Sequence, residues 1–298
     1  MNTYDIIGFP INLGCDKVGN ELTPAILRRE NCYTSRDNIV NDLGDIPSIS
    51  CEAISREKYS YHKRIKYLDP ILDASEDLCH SVRQSLQQGH IPVCIGGDHV
   101  SAFGSIAAIA LEKGADNYAV VYIDAHGDFN TELTSASGNM HGMHMSYLMG
   151  LGQKELAHYW GKFPILRTQN IYYLGARALD PGEVQVAQEH NIFIRSSYDL
   201  NFSTPSNIVD SIVSDIINKG IDHIHLSFDI DVIDPIFAPG TGVPEKDGIS
   251  PKIGYEIVKQ LMNTGLVKSA DIVELNNLLD PTGKTKEIFE NTLRLILS

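Results

Sequence analysis

Three short segments of this chain gather carboxylates and imidazoles directly behind apolar runs, and no other feature restricts its fold as strongly. They are Gly96-Gly97-Asp98-His99, Asp124-Ala125-His126-Gly127-Asp128 and Ser227-Phe228-Asp229-Ile230-Asp231. The runs before them, Ile91–Ile95, Ala119–Ile123 and His223–Phe228, read as buried strands. Side chains alternate along a strand with period two. If the backbone stays extended, Asp124, His126 and Asp128 point one way, and so do Asp229 and Asp231. Four carboxylates (Asp124, Asp128, Asp229, Asp231) and two imidazoles (His99, His126) can then converge at the ends of neighbouring strands. So much negative charge in an apolar setting is prohibitive unless cations neutralise it. The number of groups is too high for one metal ion and suits two.

The donors narrow the metal. All are oxygen or imidazole nitrogen, and no cysteine lies in the three segments. That set favours manganese, with iron, cobalt, nickel and zinc as other possibilities. A structural zinc site would use cysteine and close at four ligands. Paired metals about 3.5–4 Å apart activate water for hydrolysis.

Outside these segments, strand-like and helix-like runs alternate, which predicts an α/β fold with a parallel sheet covered by helices on both faces. Strands are expected at Tyr4–Phe9, Asn170–Leu174, Ile192–Ile194 and Ala270–Leu275, besides the three already named. Helices are expected at Asp69–Gln88, Ser101–Lys113, Pro181–His190, Pro205–Lys219, Pro251–Asn263 and Lys284–Leu297. A Ser-, Asn-, Gly- and Thr-rich loop follows the second cluster. At 298 residues the chain could form one large or two smaller domains. No compositional break or internal repeat divides it, so 1–298 reads as a single domain. In such folds ligands bind beyond the carboxyl ends of the strands, where all three clusters fall.

Composition excludes several classes of function. A formal charge of −14 argues against a nucleic-acid binder, which would show a basic stripe, and against an anionic membrane surface. It would welcome a cationic substrate. Cys15, Cys32, Cys51, Cys79 and Cys94 are scattered, odd in number and without a C-x-x-C pair, as in a reducing compartment. Met1–Pro10 has no signal-peptide pattern and no run reaches transmembrane length, so a cytoplasmic location is expected.

With these residues in view, the chain resembles the ureohydrolases, the binuclear manganese family of arginases, agmatinases and formimidoylglutamases. The resemblance runs nearly end to end and rests on GGDH (Gly96–His99), DAHGD (Asp124–Asp128) and SFDIDVIDP with its PGTGVPE extension (Ser227–Glu245). It implies a three-layer α/β/α fold whose central parallel sheet has about eight strands. It implies two Mn2+ ions per chain, other divalent metals being possible. One ion would take His99, Asp124, Asp128 and Asp229, the other Asp124, His126, Asp229 and Asp231, with Asp124 and Asp229 bridging. Asp234 would be structural.

Within the family the chain is most similar to the arginase branch. The segment Asn130-Thr131 followed by Ser135-Ala136-Ser137-Gly138-Asn139-Met140-His141-Gly142 carries that likeness. It implies that Asn130, Ser137 and Asn139 bind a substrate α-carboxylate. Asp180, supported by Glu183, would lie near the α-amino group, and Glu274 would orient the guanidinium. Expected chemistry is cleavage of L-arginine to L-ornithine and urea by a metal-bridging hydroxide. Asp128 would pass a proton to the departing amine, His141 would shuttle protons to solvent, and Glu274 would help stabilise the tetrahedral intermediate. A homotrimer or homohexamer is implied.

Val100, His144, Asn277, Thr23 and Ala178 depart from the arginase pattern, and 236–242 lies closer to agmatinases. His144 brings a bulky ionisable group next to the substrate loop, either to alter substrate choice or to contact the site from outside. Agmatine or another guanidino compound is therefore the alternative substrate, and a non-catalytic ligand-binding relative the alternative class. The remaining histidines, His62, His80, His90, His158, His190, His223 and His225, are expected at solvated or core positions.

Overall fold

The computed structural model describes residues 1–15, 17–47, 64–161 and 164–298, so Cys51 and His62 lie outside the described residues. In chain order the elements are β1 (Thr3–Phe9), α1 (Thr23–Arg29), β2 (Ile39–Asp45), α2 (Leu68–Gln87), β3 (Ile91–Gly96) and α3 (Ser101–Lys113). Next come β4 (Ala119–Ile123), α4 (His144–Leu148), α5 (Lys154–Ala157), β5 (Ile171–Gly175), α6 (Pro181–Glu189) and β6 (Phe193–Ser196). The chain closes with α7 (Ser197–Phe202), α8 (Pro205–Asn218), β7 (Ile224–Asp229), α9 (Pro251–Asn263), β8 (Val267–Val273) and α10 (Lys284–Ile296).

The eight strands form one sheet in the order β2-β1-β3-β8-β7-β4-β5-β6, every pairing parallel. Strands β3, β4, β5 and β7 are buried at every residue, as strands covered on both faces must be. One apolar layer joins Val120, Tyr122 and Tyr173 to Ile71, Leu78, Phe103 and Ile106 of α2 and α3. The opposite layer joins Val121, Ile123, Leu226 and Phe228 to Ile212, Ile257, Leu261 and Phe289 of α8, α9 and α10. The expected three-layer α/β/α architecture is therefore the one observed.

Five elements lie outside the sequence expectations: β2, α1 and the short helices α4, α5 and α7. β2 is an edge strand whose Ile39-Val40-Asn41-Asp42-Leu43-Gly44-Asp45 mixes strand formers with residues that disfavour strands. Its Leu43 is 53% exposed, because β2 pairs only with β1. Such polar punctuation suits an edge. Helix α1, seven residues long, opens with Pro24 in its first turn and is held to β2 by Arg28, which reaches Asp42 and Asp45.

Register places a polar row across the sheet, one step beneath the site. Tyr173 pairs with Tyr122, Tyr122 with Ser227, Ser227 with Asp271, and Asp271 with Cys94. At the top of β3, Gly97 threads between two other strand ends. Its N–H donates to the Phe9 carbonyl at 2.7 Å, and its own carbonyl accepts from Glu274 N–H at 2.9 Å. A Cβ on Gly97 would lie 1.9 Å from the Ile11 carbonyl oxygen, which is backbone and cannot yield cheaply. Gly97→Ala is expected to cost about 3 kcal/mol, at the upper end of overpacking effects. A shift of the urea-unfolding midpoint at unchanged slope would measure it, and an unshifted midpoint would refute it.

Candidate metal centre

Four adjacent central strands, β3, β8, β7 and β4, end at one place and supply the chemistry there. His99 follows β3, Glu274 follows β8, Asp229 closes β7, and Asp124 follows β4. The backbone does not stay extended as the alternation rule assumed. Asp128 turns left-handed, with φ of 57°. Asp231 sits in a 3₁₀ turn, Ile230–Val232, and its N–H donates to Asp229 Oδ1 at 2.8 Å. The carboxylates converge all the same, by turns rather than by pleat. Glu274 is left-handed as well, at φ 66°. Non-glycine residues held this way cost about 1–3 kcal/mol each and cluster at functional sites.

Two groups of donor atoms result, His99, Asp124 and Asp229 in one and Asp124, His126 and Asp231 in the other, each with its atoms within 4.8 Å of one another. Asp124 alone belongs to both. His99 Nδ1 lies 2.8 Å from Asp124 Oδ2, 3.2 Å from Asp229 Oδ2 and 3.4 Å from Asp128 Oδ2. His126 Nδ1 lies 3.0 Å from Asp231 Oδ2 and 3.4 Å from Asp124 Oδ1. Ser227 Oγ, 2.8 Å from His99 Nε2, holds the far side of that ring. Asp229 falls in the His99 group and not in the His126 group, so its expected bridging role is only half represented in these distances.

The electrostatics follow from burial. His99, Asp124, Asp229 and Asp231 are all at most 2% exposed. Burial, then the neighbouring carboxylates, pushes Asp229 well up and Asp231 up, and burial with Asp124 lifts Asp128 to about 8. Burial works the same way on Asp124, but His126 and His99 outweigh it and hold Asp124 below the usual carboxylate range. Burial opposes charge on the imidazoles too, and the carboxylates reverse that, raising both His99 and His126. The carboxylates thus favour positive charge at the centre, where cations are wanted. Among the described residues Asp124 Oδ2 accepts no well-aligned hydrogen bond, although His99 Nδ1 stands 2.8 Å from it. Hard oxygens with imidazole nitrogen, deeply buried and left with an unsatisfied carboxylate oxygen, fit divalent cations.

Above the donors opens a cavity of about 400 Å³, whose wall includes Asn130, Ser137, Asp180, Glu183, His141 and Glu274. Asn130 Nδ2 donates to Asp180 Oδ2 at 2.9 Å, so these two stand face to face. Glu183 accepts from the N–H groups of Asp180 and Phe129 at 2.9 and 3.0 Å and completes a capping box on α6; burial lifts it to about 7. Asn139 is the exception among the expected substrate residues. It does not line the wall, and its amide instead accepts from Lys66 Nζ at 2.9 Å and donates to the Cys15 carbonyl at 3.4 Å. Glu274 Oε1 accepts from His99 N–H at 3.0 Å and lies 3.3 Å from His141 Nδ1, while Oε2 accepts from Asn20 Nδ2.

Several contributors went unread. Tyr122 and Ser227 each stand two residues before an aspartate of the site, and the period of two was a usable signal for both. Asn20 lies 254 residues from Glu274, and nothing local announces it. His144 is fully buried behind the donors rather than in the cavity wall. Thr23 donates to the Leu275 carbonyl at 2.7 Å, and Asp234 caps turns through the N–H groups of Ile236 and Gly248, both structural roles. His223 and His225 sit in the core as expected.

A model of the arginase family matches residues 2–297. Arginase of Bacillus subtilis (strain 168) is 34% identical over 298 residues, covering 98% of this chain and 97% of that protein. The structure of Bacillus caldovelox arginase superimposes with a TM-score of 0.89 at 30% identity, over 100% of this chain and 99% of that one. Entamoeba histolytica arginase in complex with L-ornithine gives 0.88 at 27% identity, over 100% and 98%.

Proposed function

The chain belongs to the arginase family, and we propose that it hydrolyses L-arginine to L-ornithine and urea at the cavity described above. One observation carries the reading: metal-type donors form the floor of a cavity whose wall bears Asn130, Ser137 and Asp180. A side chain that is cationic at one end and an amino acid at the other matches that layout. Asp180 faces an ammonium, and Asn130 and Ser137 offer neutral donors to a carboxylate. The L-ornithine bound to the Entamoeba enzyme agrees with an amino-acid ligand.

Two divalent cations, manganese first by donor type, would be held by His99, Asp124, Asp128 and Asp229 on one side and Asp124, His126, Asp229 and Asp231 on the other. When bound they supply an activated water at neutral pH and neutralise the buried carboxylates. The protein's own groups do the rest. Glu274, pinned by Asn20 and the His99 N–H, orients the guanidinium. Water adds to the guanidinium carbon Cζ, its bond to Nε breaks, and Asp128 delivers a proton to that departing amine nitrogen. His141, 18% exposed and braced by Glu274, exchanges protons with solvent. Replacing His126 by alanine should lower turnover and metal retention together.

Agmatine lacks the carboxylate, so it distinguishes the substrate readings. Urea release from manganese-loaded protein, assayed with arginine and agmatine side by side, should occur with arginine. Activity on agmatine alone would overturn the substrate while leaving the hydrolytic site. Asn130→Ala should lower kcat/KM for arginine by about 10- to 100-fold, the usual worth of a hydrogen bond to a charged group. An equal loss on any residual agmatine turnover would argue against carboxylate recognition.

A single domain is supported by a family match from residue 2 to 297. A reducing, cytoplasmic setting is supported by four unpaired cysteines among the described residues. Among those residues no helix is long and apolar enough to cross a membrane. A homotrimer or homohexamer is proposed on family resemblance, and sedimentation would measure it.

A further inference from the structure

We propose that Tyr122 and His144 form a hydrogen-bonded pair that positions His99 and Asp128 and sets the affinity of the cation those two residues hold. The inference rests on the metal reading above and concerns groups that reading does not use.

Tyr122 Oη lies 2.6 Å from Asp128 Oδ2, 3.0 Å from His99 Nδ1 and 3.1 Å from His144 Nε2. Its ring stacks on His99, centroids 4.6 Å apart and 5° from parallel, so the hydroxyl cannot swing away without disturbing that ligand. His144 Nδ1 is 2.7 Å from the His141 carbonyl oxygen. A carbonyl only accepts, so Nδ1 carries a hydrogen. The ring is fully buried, and among the described residues no carboxylate hydrogen-bonds to it. It is therefore neutral, and its Nε2 is a bare acceptor.

One phenol hydrogen thus has two acceptors within reach, Asp128 Oδ2 and His144 Nε2. Without a cation it goes to the shortest contact, Asp128. A carboxylate oxygen that ligates a cation would keep a second lone pair, so Asp128 Oδ2 and His144 Nε2 both remain open to the hydroxyl. The hydroxyl is held between these two acceptors, and its ring, stacked on His99, is held with it. His144 also ties the pair to the backbone of His141, so metal ligand and cavity wall share one support.

Tyr122→Phe removes one oxygen and little volume. His144→Leu removes one of the two acceptors. Both are made in the metal-free full chain, titrated with Mn2+ by calorimetry, with free Mn2+ followed by electron paramagnetic resonance. We expect one of two binding steps to weaken by about 10-fold or more in Tyr122→Phe, the range found when an outer partner of a metal ligand is lost. The other step should stay unchanged. His144→Leu should weaken the same step, and the double variant should be no worse than Tyr122→Phe alone. An unaltered isotherm, equal weakening of both steps, or strictly additive losses would each overturn the pair. A parent chain that binds no Mn2+ would defeat the metal reading itself; a parent that binds two ions beside an unaffected Tyr122→Phe would defeat only the pair.

Discussion

Asp124→Asn is expected to empty both halves of the metal centre at once and to lower urea release by at least about three orders of magnitude. The substitution keeps the shape of the side chain and removes one charge. Asp124 is the residue common to both donor groups, with Oδ2 facing His99 and Oδ1 facing His126. Metal-assisted charge stabilisation is worth several kcal/mol, and each 1.4 kcal/mol is roughly tenfold in rate. Asp231→Asn makes the contrast, because Asp231 belongs only to the His126 group. That variant should keep one ion and lose the other. Metal content per chain, measured on both variants beside kcat with arginine, checks the asymmetry. Asp124→Asn retaining two ions and normal turnover would defeat the shared-carboxylate arrangement.

The central strands and long helices were legible because burial leaves a continuous or periodic apolar trace. Ser101–Lys113 and Pro251–Asn263 are observed with the bounds their sequence predicts. Expected at Ala270–Leu275, β8 runs instead from Val267 to Val273. Its start was hidden by Lys268 and Ser269, and its end is set by the left-handed turn at Glu274. β2 left no trace because an edge strand needs few apolar residues. At the site, the identity of the donors was readable and their path to one another was not. Period two assumes extended backbone, and Asp128 and Asp231 reach the centre through a left-handed residue and a 3₁₀ turn. Tyr122 and Ser227 read as strand filler because a buried tyrosine or serine is common in a core. Only the neighbouring strand's register shows what each one supports. Asn139 was placed in the cavity by the company it keeps in sequence, whereas its amide is taken by Lys66 and Cys15. Local resemblance gives the backbone path of such a loop more securely than the direction of each side chain along it.

Beneath the site lies a polar pair whose loss should be the largest stability effect in the molecule. His225 Nε2 lies 3.0 Å from Asp271 Oδ2, the same oxygen accepts from Ser105 Oγ at 2.7 Å, and neither His225 nor Asp271 is exposed at all. Asp271→Ala leaves His225 Nε2 and Ser105 Oγ without their acceptor in a dry interior, while His225 Nδ1 keeps Ser269 Oγ at 2.9 Å. Breaking one side of such a pair costs about 3–5 kcal/mol, and Tm should fall by roughly 10 °C in a chain of this size. Burial disfavours the charged form of Asp271, but His225 and Ser105 outweigh it and hold its pKa below the ordinary carboxylate value. A group depressed in the folded state stabilises at pH values above its unfolded pKa, about 3.9. That contribution is lost as pH falls through the depressed folded value. The metal-free parent and Asp271→Ala should therefore differ fully near neutrality and approach each other only in strong acid. The double variant His225→Leu/Asp271→Leu should recover part of the loss, since it removes the stranded imidazole and leaves only the Ser105 hydroxyl without its acceptor, Ser269 keeping His223. Thermal melts of all three on metal-free protein separate this from any effect on metal binding. A double variant as unstable as Asp271→Ala would mean that the pair's shape, not its polarity, is what the sheet requires there.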